Sequence, residues 1–335
     1  MKPSRAGVHA TGLCRITLLA VFFAMATPTS AQTLSGVTFQ VDNDYFDFWM
    51  PGNERPDDNY THGQLLRTVF NVAPAWMRRG VPSCGESLAS PTSPNRCAQS
   101  FLTISQEIFT PTHDTPMPVV GERPYAGLLY VDFGRSIVDR RQSRSLAIRL
   151  GTTGHPSGAE AAQTLFHRLL DQRHPKGWDY QIGAEPVIGI TYGRQYLMTP
   201  DLATRRGALQ VIGAGRTTAS HVQANLSAGV EVKAGYRVPH PWTPAAETDR
   251  RGVRFFVLLG GSEKWVARDL LLEGNTKWTN ELVTKRPFVF ELIWGLGAGI
   301  GSYAVEYRAV SRSRDYLTGP SWHRWGSISL IHGNL

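Results

Sequence analysis

The sequence predicts an all-β protein, a twelve-stranded antiparallel transmembrane β-barrel with a short helix in an outer loop. Three observations predict it. Apolar and polar residues alternate one by one along most of the chain, which is the period of a strand. No segment beyond the N-terminal region supplies the roughly 20 apolar residues of a membrane helix, so a membrane protein made from this chain must be a barrel. Thirty-three glycines and nine tryptophans, with a mean hydropathy of −0.23, suit strands that need apolar residues on one side only.

In chain order, residues 1–31 read as a secretory signal. Lys2, Arg5 and Arg15 precede the apolar run Ile16 to Ala26, and Thr29-Ser30-Ala31 offers small residues for cleavage. Residues 32–335 are then the barrel, and removal of the signal lowers the formal charge from +8 to +5. A modest basic excess on an exported protein fits an anionic lipid or glycolipid better than nucleic acid.

The alternation places strands at 35–43, 60–70, 99–109, 125–136, 144–153, 186–197, 207–216, 221–236, 252–267, 287–299, 302–313 and 321–332. The clearest stretch is Val222 to Ala234, where Val222, Ala224, Leu226, Ala228, Val230 and Val232 alternate with residues that include Glu231 and Lys233. Tyr130, Tyr192, Tyr196, Tyr236, Trp265, Trp294, Trp322 and Trp325 are candidates for interfacial girdles. A secreted β-sandwich is the alternative, because alternation alone does not say whether the apolar face meets a core or lipid.

With the N-terminus in the periplasm, connections after odd-numbered strands face outward. The segment Ser157 to Pro186 follows strand five and reads as helix, with Ala161, Ala162, Leu165, Phe166, Leu169 and Leu170 on an apolar side and Glu160, Gln163 and His167 on a polar stripe. The connection after strand two is periplasmic and holds Cys84 and Cys97, where oxidation into a loop bridge is available.

Strand parity therefore brings Asn43, Asp44 and Thr61 to the same rim as Gln163 and His167. A carboxylate with amide and hydroxyl oxygens, here Asp44, Asn43 and Thr61, is donor material for a hard cation such as calcium. A neutral histidine beside such an ion can take a proton from water. No GxSxG elbow occurs, so a water nucleophile fits better than an acyl-enzyme. The plainer alternatives are that Asp42 to Asp44 and Asp57 to Asn59 are turn formers, that His167 is a solvated helix histidine, that Glu122 to Gly127 is a turn with an ion pair, and that Gly295 to Gly301 marks close strand packing.

Asn43-Asp44, Asn59-Tyr60-Thr61-His62-Gly63, Glu122-Arg123-Pro124-Tyr125-Ala126-Gly127 and, above all, Gly151 to Pro186 with its KGWDYQ tail resemble the lipid A deacylase family, LpxR. The resemblance runs through the mature chain in order. It implies a monomeric outer-membrane barrel that hydrolyses the 3′-acyloxyacyl ester of lipid A in lipopolysaccharide with Ca2+. It also implies that His167 is the general base, with Asn43, Asp44, Thr61 and Gln163 as the other active-site positions. The loop 110–122 departs from the pattern in carrying no lysine or arginine for a lipid A phosphate; Arg55, Arg168, Arg173, Lys176 and Arg268 are the basic residues available instead. An outer-membrane phospholipase and a non-catalytic porin or adhesin are the other functions compatible with the same residues.

Overall fold

A computed structural model of the chain describes residues 34–47, 59–85, 96–169, 175–199, 207–242, 252–277 and 283–333; the signal segment 1–31 lies outside these. The strands β1 (Leu34–Asn43), β2 (Asn59–Phe70), β3 (Arg96–Thr110), β4 (Ala126–Asp139), β5 (Gln142–Thr153), β6 (Pro186–Leu197), β7 (Ala208–Ser220), β8 (Gln223–Tyr236), β9 (Val253–Asp269), β10 (Phe288–Ile300), β11 (Tyr303–Ser313) and β12 (Trp322–Gly333) follow one another around a closed antiparallel barrel. β12 closes on β1 from Gly36↔Gly333 to Asn43↔Gly326. This closure excludes the sandwich. Among the described residues three short α-helices lie between strands: α1 (Ala75–Arg78), α2 (Ala159–Leu169) and α3 (Leu270–Glu273). No helix among the described residues is long and apolar enough to cross a membrane.

The wall has its polarity reversed relative to a water-soluble protein. On β5, Leu146, Ile148 and Leu150 are exposed while Arg149 between them is buried. Inside, the Arg149 guanidinium donates to both oxygens of Asp132 at 2.8 and 2.9 Å and lies over the Tyr130 ring at 3.5 Å. Ile188, Val257, Leu259 and Ile300 are each more than half exposed on the outside. A belt of that size has to meet hydrocarbon, since soluble surfaces do not carry contiguous apolar patches on this scale.

Packed apolar side chains close the interior near each end around a polar chamber. Leu270 and Leu271 of α3, together with Val222, fill the mouth at the end that carries α2, against Tyr60, Phe109 and Trp325. Below them is a polar chamber of about 310 Å³ bordered by Glu107, Arg149, Lys264 and Glu291. Towards the opposite end, Trp242 donates from Nε1 to the carbonyl of Asp139 at 2.6 Å and packs with Val138, Leu197 and Ile212. On the same side Cys84 and Cys97 form a disulfide.

Three expectations need correction. Tyr130 and Trp325 are buried inside the barrel rather than in a girdle, because each stands on the inward face of its strand. Tyr192, Tyr196, Trp265 and Trp322 are exposed outside as expected. Val222 is not the first lipid-facing residue of β8. It sits in the β7–β8 turn, fully buried, with its carbonyl accepting from the N–H of Leu270 at 2.8 Å.

Candidate active site

The site grows from the end of β1. Asn43 caps a single 3-10 turn, Asp44–Phe46, its Oδ1 accepting from the N–H of Tyr45 at 2.8 Å. Its Nδ2 donates to the carbonyl of Thr61 at 3.0 Å and lies 3.4 Å from Nδ1 of His62. An asparagine is well suited to this double duty, since its short amide can cap a turn and still reach the neighbouring strand. Asp44 follows directly as the first residue of the turn, so the cap fixes where its carboxylate starts.

β2 supplies the facing residues through a bulge. Tyr60 pairs with Phe109 and His62 with Ile108, leaving Thr61 as the extra residue. Without the bulge Tyr60 and His62 would share a face. With it, Tyr60 points into the barrel and donates to Oδ2 of Asp42 at 2.8 Å, while His62 takes the outer wall beside Asn43. Thr61 is buried, its hydroxyl 2.5 Å from that of Thr110 at the end of β3.

The third component is α2, which lies against the outer wall over β3 and β4. Gly127 makes room, since a Cβ there would overlap Ser157 and Ala159. Gln106 Nε2 donates to the carbonyl of Ser157 at 2.7 Å, and Ile108 packs with Ala159, Tyr125 and Trp178. Gly158, in the left-handed conformation at φ +70°, turns the chain into the helix, whose first residues are strong helix formers.

Ala159, Gln163 and His167, one turn apart, are its buried face. Leu165 and Leu169 point away, 55% and 74% exposed. The helix is thus turned the opposite way from an amphipathic helix on a soluble core, with its polar stripe against protein and its leucines outward. The sequence marked both stripes and left open which one would be covered; Leu170 lies outside the described residues.

All five sequence-predicted residues therefore stand at one end of the barrel, in two groups. Asn43, Asp44 and Thr61 belong to the wall, with Asn43 bonded to Thr61; Gln163 and His167 belong to the helix. Phe166 joins the groups, 4.7 Å from the His62 ring and 6.3 Å edge-on to Phe46. His62, buried and within electrostatic reach of His167, was not selected from the sequence although it sits inside the Asn59 to Gly63 motif. Trp178 was also missed as a site residue. It donates from Nε1 to Oε1 of Gln163 at 2.8 Å and packs at 5.0 Å on Tyr125, which gives the KGWDYQ tail its physical purpose.

Two expected turn features resolve differently. Glu122 and Arg123 do not pair with each other: Glu122 accepts from the N–H of His113 at 2.9 Å, and Arg123 reaches Asp315 at 3.5 Å over the Phe109 ring. Arg268, one of the basic residues considered for a phosphate, donates to the carbonyl of His221 and to Oγ1 of Thr276. It is part of a rim brace centred on Glu185, whose carboxylate accepts from Asn275 Nδ2 at 2.9 Å, from the Thr276 N–H at 2.6 Å and from the Thr276 hydroxyl at 2.8 Å. Partial burial raises the Glu185 carboxyl, but these hydrogen bonds and His221 outweigh it and hold it below the ordinary carboxylate range. Arg55 and Arg173 lie outside the described residues.

Among the described residues no three His, Cys, Asp or Glu side chains gather as a metal cluster. At the same end of the barrel stand the Asp44 carboxylate, the Thr61 hydroxyl and the Asn43 amide, and one buried amide there, Asn59, has no hydrogen-bond partner. That chemistry fits a hard, oxygen-preferring cation.

The profile of the family described as outer membrane protein LpxR matches residues 15–333. The chain belongs to the LpxR family. Of the solved structures, LpxR from Salmonella typhimurium aligns with a TM-score of 0.69 at 17% identity, covering 89% of this chain and 99% of that one. The translocator domain of the autotransporter NalP from Neisseria meningitidis aligns at 0.42 with 10% identity, over 96% of each chain. No curated protein matches. As an LpxR family member with a closed barrel and an apolar outer belt, the chain is an outer-membrane protein.

Proposed function

We propose that this LpxR family barrel is a calcium-dependent esterase that removes the 3′-acyloxyacyl group of lipid A, with water activated by His167. The observation that carries this reading is the position of the buried Gln163 and His167 face against the outside of the barrel wall, at the end that carries the β1–β2 and β5–β6 connections. A lipid of the outer leaflet can reach that place from the side without leaving the membrane.

In this mechanism His167 takes the proton of a water as the water attacks the ester carbonyl, and later returns a proton to the leaving alkoxide. Phe166, held on His62, fixes the last turn of α2 and with it the imidazole. Gln163 is oriented by Trp178, which occupies its Oε1 and turns its Nε2 donor the other way, towards developing negative charge. Asp44, Thr61 and the neighbouring oxygens would hold calcium. When bound, the ion lowers the energy of the oxyanion formed at the ester carbonyl.

A diffusion pore is the less favoured reading because both mouths carry packed apolar side chains, Leu270 and Leu271 at one and Trp242 at the other. The deciding experiment is mass spectrometry of lipid A from cells expressing the wild-type chain or His167→Ala, with calcium or with chelator. Loss of one acyloxyacyl unit only with the wild type and calcium is expected. An unchanged lipid A despite confirmed outer-membrane insertion would overturn the deacylase reading, and fatty acid released from phosphatidylethanolamine instead would identify a phospholipase.

A further inference from the structure

Asn59, the first residue of β2, is only 2% exposed, and neither its Oδ1 nor its Nδ2 makes a hydrogen bond. Buried amides nearly always have partners, so two unsatisfied atoms on one side chain call for an explanation. The other buried orphan atoms differ in kind. Arg123, Gln181, Gln210 and Arg254 each lack a partner at one atom while another atom of the same side chain is bonded. Within that group Asn59 alone has its whole polar end unsatisfied.

Its location makes the unsatisfied amide specific. Asn59 is held at φ +60°, a left-handed conformation that asparagine tolerates better than most residues. It pairs with Thr110, whose hydroxyl is 2.5 Å from that of Thr61. Asn43, by contrast, has both amide atoms engaged, one capping Tyr45 and the other bonded to Thr61. Of Asn43 and Asn59, the first builds the frame and the second has an amide available to a guest.

We propose that Asn59 Oδ1 is a ligand of the rim cation together with Asp44 and Thr61, and that its Nδ2 donates to an ester oxygen of the substrate. Asn43 is then a positioning residue. This assignment rests on the calcium reading above and extends its ligand set. An amide oxygen is a normal calcium ligand, and a site with a single carboxylate belongs with the weak ones, with Kd on the order of 10⁻⁴–10⁻³ M.

The test titrates calcium chloride, with magnesium chloride as control, into the full-length chain folded in detergent, reading binding by calorimetry and by the calcium-induced rise in unfolding temperature. Wild type, Asn59→Leu and Asn59→Asp are compared after each is shown to be heat-modifiable on a gel. The expected result is at least tenfold weaker calcium binding for Asn59→Leu and binding no weaker than wild type for Asn59→Asp, which gains a carboxylate. Equal binding by wild type and Asn59→Leu, weaker binding by Asn59→Asp, or no calcium binding by wild type overturns the assignment. Lipid A mass spectrometry on the same proteins separates the two ideas. Deacylation by wild type with unchanged calcium binding in Asn59→Leu removes only the Asn59 assignment. Calcium binding that depends on Asn59 in a barrel leaving lipid A intact keeps it and removes the deacylase reading.

Discussion

The imidazole of His62 and the ring of Phe166 meet at 4.7 Å between centroids, tilted by 41°. This contact joins the start of β2 to the last turn of α2, one residue from His167. Phe166→Ala removes it without touching a polar group of the site. Because misplacing a catalytic group by about 1 Å costs on the order of 10²-fold, we expect kcat for lipid A hydrolysis to fall by about that factor with calcium affinity unchanged. Steady-state kinetics and calcium titration check the two halves separately.

Trp178→Phe keeps an aromatic ring beside Tyr125 but loses the donor to Gln163. One neutral hydrogen bond contributes about 1 kcal/mol, so roughly a fivefold to tenfold loss in kcat is expected. An unchanged rate would show that the amide of Gln163 needs no holding.

Leu165 and Leu169 face away from the barrel. Lysine at a lipid-facing site near the interface costs up to about 1 kcal/mol, and more at greater depth. The double substitution Leu165→Lys, Leu169→Lys is expected to lower hydrolysis of lipid A in bilayers severalfold and to leave hydrolysis of micelle-dispersed substrate nearly intact. Equal losses in both media would place this face elsewhere than in lipid.

The Glu185 brace carries a pH signature. Its carboxyl titrates below the ordinary range when folded, so opening the brace takes up protons. Its contribution is complete above the unfolded value of about 4.3 and is lost as pH falls through the lower folded value. Protease protection of the 183–185 and 275–276 segments should therefore be flat from neutral pH to about 5 and fall below 4, and Glu185→Gln should remove that fall.

Cys84→Ser with Cys97→Ser opens a loop of sequence separation 13 at the end away from the candidate site. A loop of this size predicts a loss of about 3 kcal/mol in stability, read in urea unfolding from detergent, with lipid A hydrolysis at low temperature unchanged.

Much of this molecule is legible in its sequence because two solvents enforce one rule. Alternation placed twelve strands and gave the correct connectivity, and parity brought residues 43, 44, 61, 163 and 167 to one end. What stayed hidden depends on which face a residue takes. Tyr130 and Trp325 look like girdle residues until their strand phase is known, and Val222 belongs to a turn that continues the apolar pattern by coincidence. His62 was hidden by the Thr61 bulge, which reverses the expected face. Trp178 needed a tertiary contact, since nothing local links it to Gln163 fifteen residues earlier.

The bulge at Thr61 acts as a phase shifter. One added residue lets Tyr60 stay with the lumen while His62 stands on the outer wall beside Asn43, so a single strand serves both sides of the wall. Deleting Thr61 would restore one-to-one pairing with β3 and leave Tyr60 and His62 on their present sides, whereas a β2 that kept Thr61 in regular register would turn Tyr60 to the side of His62 and away from Asp42.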